Sequence, residues 1–169
     1  MASFSNTTTK LANPLVNLKL VVDKLGVNSS RAQKLPMVIT TYEKMRLSDH
    51  KLYILINHKE NQAVGLIRTG RKHLFLLDRY GRNHEVEPIC VLDFYVHESK
   101  QRKGLGNLLF KSMMSHQNIS KAGFLAIDKP SQLFLNFLRR HHKLSFDIPQ
   151  VNNYGMGVWK GVIRIFVHF

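Results

Sequence analysis

Residues Ile89 to Val96 form a nearly continuous apolar run, and the chain then turns abruptly polar through His97-Glu98-Ser99-Lys100-Gln101-Arg102-Lys103-Gly104-Leu105-Gly106-Asn107. An apolar run of this length, bounded by turn signals, predicts a central strand covered on both faces. The glycine-bearing turn after it leads straight into a helical pattern from Gly106 to about His116. The first amides of a helix lack intrahelical partners and carry the positive end of the helix dipole. A turn relaxed by glycine and supplemented by Arg102 and Lys103 can therefore wrap an anion such as a pyrophosphate. The same glycines would also serve an ordinary strand-to-helix turn, so the surroundings must decide.

Around this junction the periodicity is mixed. Leu15, Leu18, Val22 and Leu25 predict a helix that begins after Pro14 and is capped by Gly26, with further short helices at Ser30 to Leu35 and Tyr42 to Leu47. Leu52 to Ile56, Val64 to Ile67 and Leu74 to Leu77 predict an antiparallel meander. After the junction follow a strand from Gly123 to Ile127, a helix starting at Ser131 and a strand near Gly161 to His168. Several strands with segregated helices give an α+β layer fold. At 169 residues and 44% hydrophobic content, one domain over residues 14–169 is expected, preceded by a polar, disordered arm at residues 1–13. No internal repeat is present.

Composition narrows the function. Lys and Arg number 25 against 11 acids, a formal charge of +14 that favours polyanionic partners without choosing among them. No apolar run is long enough to span a bilayer, and the first residues carry no signal-peptide core, which predicts a soluble intracellular protein without glycosylated asparagines. Cys90 is the one cysteine, which excludes an internal disulfide and a cysteine-based zinc site. The adjacent histidines His141 and His142 point to different sides of a helix, and no His pair at i,i+4 with an acid occurs, so no metal is expected. The run Arg139 to Lys143 reads as a solvated helix end whose cations suit the dipole, or as a further contact for an anionic ligand.

Two other phosphate motifs fail on the same residues. A P-loop requires Gly-Lys-Ser/Thr after its glycines, and a dinucleotide fingerprint requires a third glycine in a parallel βαβ unit. Gln101-Arg102-Lys103-Gly104-Leu105-Gly106 does match the Gln/Arg-X-X-Gly-X-Gly/Ala loop of the GCN5-related acetyltransferases. Together with Glu85 to Glu98, Leu125-Ala126-Ile127-Asp128-Lys129-Pro130-Ser131 and Pro149-Gln150-Val151-Asn152-Asn153, it resembles the α-tubulin N-acetyltransferases over about Ser30 to Asn153. The resemblance implies a GCN5-related acetyltransferase fold with a mostly antiparallel central sheet, and transfer of an acetyl group from acetyl-CoA to a lysine of α-tubulin. Phe94, Tyr95 and Val96 are then expected along the cofactor arm, Gln101 to Asn107 (Gln101, Arg102, Lys103, Gly104, Leu105, Gly106, Asn107) on the phosphates, and Ser131, Asn136 and Arg140 on a second cofactor wall. Ser131 also suits a helix cap.

Lysine, with a pKa of about 10.4, attacks a thioester only as the neutral amine, so a proton acceptor is needed. The resemblance implies Asp128 and Cys90 for that task, with direct attack in a ternary complex preferred to an acetyl-Cys90 intermediate. For Cys90 alone, a small core residue is the plainer reading; for Asp128, a turn aspartate. Gln33, Phe75 and Lys129 match positions on the acceptor side, with Arg102 also near it. Asp93, on a buried strand, is expected to make a structural hydrogen bond. The implied setting is a monomer on microtubules in the cytoplasm, with cilia or axons as candidate locations.

Two departures from the family pattern carry expectations of their own. Residues 1–13 are polar where family members begin with an apolar strand, which predicts that the first sheet strand is missing. Asn153 to Lys160 is less apolar than the family's ending, which predicts an altered acceptor edge. The rival readings are a microtubule-binding member with reduced catalysis and a basic nucleic-acid-binding protein. No RNP, KH, helix-turn-helix or zinc pattern supports the latter.

Overall fold

A computed structural model describes residues 18–78, 80–145, 154–156 and 158–159. Helix α1, Leu18–Ala32, turns Val21, Val22, Leu25 and Ser29 inward at three- and four-residue steps. It is one helix where two were expected, and Gly26 lies inside it rather than at its cap. A Cβ at Gly26 would stand 1.8 Å from the Thr40 carbonyl oxygen, so this glycine permits a close chain approach. The stop comes from Lys34, whose φ of 55° lets Leu35 N–H bond the Ser30 carbonyl at 2.9 Å and Lys34 N–H bond that of Arg31 at 3.1 Å. These bonds satisfy carbonyls that the helix end leaves open. Short helix α2, Tyr42–Arg46, is capped by the Thr41 hydroxyl.

The main sheet has the order β1-β2-β5-β6-β8, formed by β1 (Lys51–Asn57), β2 (Gln62–Arg71), β5 (Ile89–Val96), β6 (Ala126–Asp128) and β8 (Tyr154–Met156). Strand β5 is central as expected, antiparallel to β2 and parallel to β6; the other pairs are antiparallel. The expected meander breaks at β3 (Leu74–Leu77), which leaves the sheet to pair with β4 (Asn83–Val86). No apolar pattern marks β4. Its turn is held instead by the Asp78 carboxylate, which accepts from the Tyr80 and Arg82 amides, Arg82 Nε and His84 Nε2.

Helices α3 (Leu105–His116) and α4 (Gln132–His142) cover one sheet face. Phe110, Met113, Phe134 and Leu138 pack there against Ile67, Val91 and Ile127. On the other face α1 packs Val21 and Leu25 against Leu66 and Tyr95, while Cys90, Leu92 and Ala126 meet Leu74 and Leu76 of the hairpin. Ser131 caps α4 by accepting from the Phe134 amide at 3.3 Å. A short pair of β7 (Leu144–Ser145) and β9 (Val158–Trp159) follows α4. The expected strand at Gly161 to His168, the motif Pro149 to Asn153, the polar arm and Pro14 lie outside the described residues.

Candidate active site

A register shift in β5 sets up the site. Arg68 pairs with Asp93 and Thr69 with Val91, which leaves Leu92 without a partner. A bulge of this kind changes which side chains share a face. Val91 and Phe94 face α3 and α4, whereas Cys90 and Leu92 pack on the opposite side and Asp93 reaches α1. Strict alternation would have sent Asp93 after Val91 into the α3–α4 core.

Asp93 is buried and fully engaged. Its Oδ1 accepts from Ser29 Oγ at 2.7 Å and Gln33 Nε2 at 2.9 Å, and its Oδ2 accepts from Thr40 Oγ1 at 2.6 Å. This is the structural hydrogen bonding expected of a buried carboxylate. Gln33, an acceptor-side candidate from the sequence, also bonds Ser29 Oγ at 2.8 Å, so its amide is oriented by α1 and β5 together.

Cys90 and Asp128, the two proton-acceptor candidates, differ sharply. Cys90 pairs with Ala126 in the parallel ladder, fully buried, and its Sγ lies 3.6 Å from the Pro88 carbonyl oxygen. Burial, with the charge of Asp128 adding to it, pushes its thiol up to about 11, which disfavours the thiolate. Asp128 ends β6, two residues beyond Ala126 and on the same face. Its Oδ1 is buried and makes no hydrogen bond within the protein, an unusual state for a carboxylate.

Beside it the sheet opens. The β5–β6 ladder consists of Cys90↔Ala126 and Val91↔Ile127, so the stretch from Leu92 to Val96 has lost β6 as a neighbour. Of the expected cofactor-arm residues, Phe94 joins Phe110, Phe134 and Phe137 under the helices. Tyr95 points the other way, packing on α1 and donating to Glu98 Oε2 at 3.1 Å. These two share a strand edge, not a side-chain surface. Val96 is buried, and its carbonyl accepts from Gln101 Nε2 at 2.8 Å.

The loop then leads into α3. Arg102 at φ 60° and Gly104 at φ 78° both adopt left-handed backbone, and Gly104 occupies the cap position without any side-chain cap. Arg102, Lys103 and Gly104 are exposed, Leu105, Gly106 and Asn107 half-buried. A Cβ on Gly106 would lie 3.4 Å from Phe94 Cζ, which ties the helix start to the strand. Asn107 Oδ1 is buried without a partner. Lys100, not singled out from the sequence, braces the loop through Glu60 at 2.5 and 2.6 Å.

The remaining candidates are more dispersed. Ser131 is half-buried at the start of α4, while Asn136 and Arg140 sit on its exposed face, with Asn136 Oδ1 accepting from Gln132 and Arg139. Phe75 is 57% exposed on the hairpin, and Lys129 is exposed at φ 43° directly after Asp128. Sequence reasoning missed Arg68, whose Nη1 donates to the Ile39 carbonyl at 2.5 Å while its buried Nε has no partner. A charged residue inside the apolar β2 run was the available signal. Among the described residues, no group of three or more His, Cys, Asp or Glu side chains is arranged to hold a metal.

Comparison with known proteins agrees with this geometry. Residues 2–160 match the family described as GNAT acetyltransferase, Mec-17. The alpha-tubulin N-acetyltransferase of Trichoplax adhaerens is 44% identical over 82% of this chain and 63% of its own length. Alpha-tubulin N-acetyltransferase 1 of Danio rerio is 44% identical over 84% of this chain and 49% of its own. The chain thus spans about half to two thirds of these relatives. Among solved structures, the xEco2 acetyltransferase domain bound to a CoA conjugate superposes with a TM-score of 0.58 at 12% identity, over 92% of each chain; this likeness concerns the fold alone. An α+β sheet that parts beside an unpartnered aspartate, with a family match over nearly the whole sequence, leads to one conclusion: the chain belongs to the Mec-17 family of GNAT acetyltransferases.

Proposed function

We propose that this protein transfers the acetyl group of acetyl-CoA to a lysine side chain of α-tubulin, by direct attack, with Asp128 as the proton acceptor. The buried, unpartnered Oδ1 of Asp128 beside the open half of β5 carries the reading. A buried carboxylate oxygen left unsatisfied beside an open strand edge is a group kept for a partner that is not part of the chain. The relatives' shared activity supplies the acceptor.

The residues present fit acetyl-CoA. The β5 edge from Leu92 to Val96 offers backbone groups to an extended arm, and the uncapped start of α3 offers amides to phosphates. Arg102 and Lys103 add charge; Leu105, Gly106 and Asn107 shape the bend, and Ser131, Asn136 and Arg140 form the opposite wall. When bound, acetyl-CoA supplies an activated thioester carbonyl. Gln33, Phe75 and Lys129 border the acceptor side, and Asp128 removes the ammonium proton so that the amine can attack. Cys90 stays a packed thiol: at about 11 its thiolate fraction near pH 7 is roughly one in ten thousand. The protein acts as a monomer, without a metal, at microtubules in the cytoplasm, including those of cilia or axons.

Labelled acetyl-CoA incubated with the purified protein and either microtubules or histones tests the acceptor. Label is expected on α-tubulin. Label on histones alone would replace the acceptor, and absence of turnover with retained acetyl-CoA binding would favour a non-catalytic microtubule binder.

A further inference from the structure

Lys100, Arg102 and Lys103 crowd the chain just ahead of α3, whose start carries no side-chain cap. Like charges this close repel, and the positive end of the helix dipole adds to the repulsion. Such a loop keeps one shape when something outside it holds the backbone. Two contacts hold its first end. Gln101 Nε2 donates to the Val96 carbonyl at 2.8 Å, and Lys100 Nζ donates to both carboxylate oxygens of Glu60 at 2.5 and 2.6 Å.

Both partners of that second contact stand on tight turns. Lys100 ends the 3-10 turn Glu98–Lys100, closed by its own amide on the His97 carbonyl at 2.8 Å and by the His97 ring, which accepts from the Ser99 amide at 3.3 Å. Its side chain is 17% exposed, low for a lysine. Glu60 lies in the turn between β1 and β2, where Asn61 takes φ 49° and its amide bonds the His58 carbonyl at 3.3 Å. The pairing Gly65↔Val96 and the bond from the His97 amide to the Val64 carbonyl at 2.8 Å bring the start of β2 to the end of β5. The meeting of Glu60 with Lys100 is therefore built into the sheet.

We infer that Glu60 is a positioning residue for cofactor binding: by clasping Lys100 it fixes the loop from Gln101 to Gly104 in the shape that receives the phosphates of acetyl-CoA. The inference rests on reading that loop as the phosphate site. Glu60 does not meet the cofactor; it acts through Lys100. With two of its three N–H groups on Glu60, Lys100 is the handle, and Arg102, Lys103 and the α3 amides are left to the phosphates. The hydrogen bonds from Lys100 hold the Glu60 carboxyl below its ordinary value, with the charges of Lys100 and Lys103 adding to the effect.

An acid beside an anion site invites the opposite reading, in which Glu60 repels phosphate and competes with it for Lys100. The two readings differ in sign. Removing a repelling or competing carboxylate tightens the binding of an anion. Removing a positioning one loosens it, because the loop must then be ordered at the expense of binding.

The test is acetyl-CoA binding by calorimetry to Glu60→Gln, Lys100→Met and the exchanged pair Glu60→Lys with Lys100→Glu, with folding followed by circular dichroism. The two single variants change the local charge in opposite directions, yet Kd is expected to rise in both, by roughly three- to ten-fold. KM for acetyl-CoA is expected to rise with it, more than kcat falls, and the exchanged pair is expected to recover most of the loss. Tighter or unchanged binding in Glu60→Gln overturns the inference, as does an exchanged pair no better than the single variants, or a loss confined to kcat. Failure of Glu60→Gln and Lys100→Met alike to fold would make the pair structural and also overturn it. Absence of acetyl-CoA binding by the native protein would instead remove the reading on which it rests.

Discussion

Cys90 and Asp128 occupy neighbouring strands, the one a fully buried thiol and the other a carboxylate with an unpartnered oxygen, and this difference decides their chemistry. Asp128→Asn keeps the shape of the side chain and removes its basicity; a fall in kcat of about 100-fold or more is expected, with acetyl-CoA affinity near normal. Steady-state kinetics and a binding isotherm check both halves of that statement. Cys90→Ala is expected to retain turnover within several-fold, because a fully buried thiol pushed up to about 11 supplies almost no thiolate. The native protein is likewise expected to resist iodoacetamide and to label quickly once unfolded, as mass spectrometry would show. Loss of all turnover in Cys90→Ala with a normal fold would restore the acetyl-cysteine route.

Within the elements, the closest approach is between α1 and the segment bearing Thr40. Gly26→Ala would drive a methyl into the Thr40 carbonyl, and Thr40 is one of the donors on Asp93. Overpacking of this kind costs about 1–3 kcal/mol, so thermal melting is expected to show a midpoint lower by roughly 5 °C, with turnover reduced as the Asp93 network shifts. The sequence did not disclose this. Gly26 follows a heptad-like apolar stripe and looks like a helix stop, because a glycine needed for close approach and one needed for a left-handed cap are the same letter. Strand β4 escaped for a related reason: Asn83-His84-Glu85-Val86 has no alternation, and it pairs because Asp78 closes the turn. The central strand, the loop and both long helices after it were legible, since apolar run, glycines and capping serine are all local signals. The bulge at Leu92 was not, because it depends on how β2 and β5 meet, and with it went the placement of Asp93.

At the scale of the whole molecule, pH acts through histidines held neutral. Burial lowers His142 beneath its ordinary value, with His141 and Lys111 adding to the effect, and burial also lowers His50, with Arg68 adding to it. In each case the unfolded chain binds the proton more readily, so stability is fully present above about pH 6.5 and declines as pH falls through the ordinary histidine range. Melting at pH 7.5 and 5.5 is expected to show that decline, and His142→Phe, which suits the ring contacts with Phe110 and Phe137, is expected to lessen it. The parted sheet has a consequence of a different sort. From Leu92 to Val96 the backbone has an edge in the middle of the molecule rather than at its rim, and on the proposed reading the cofactor completes the sheet there as a missing strand would. Recognition by main-chain groups does not depend on which side chains those residues carry, so Phe94, Tyr95 and Val96 are free to drift in sequence to suit the two cores while the slot between them keeps its purpose.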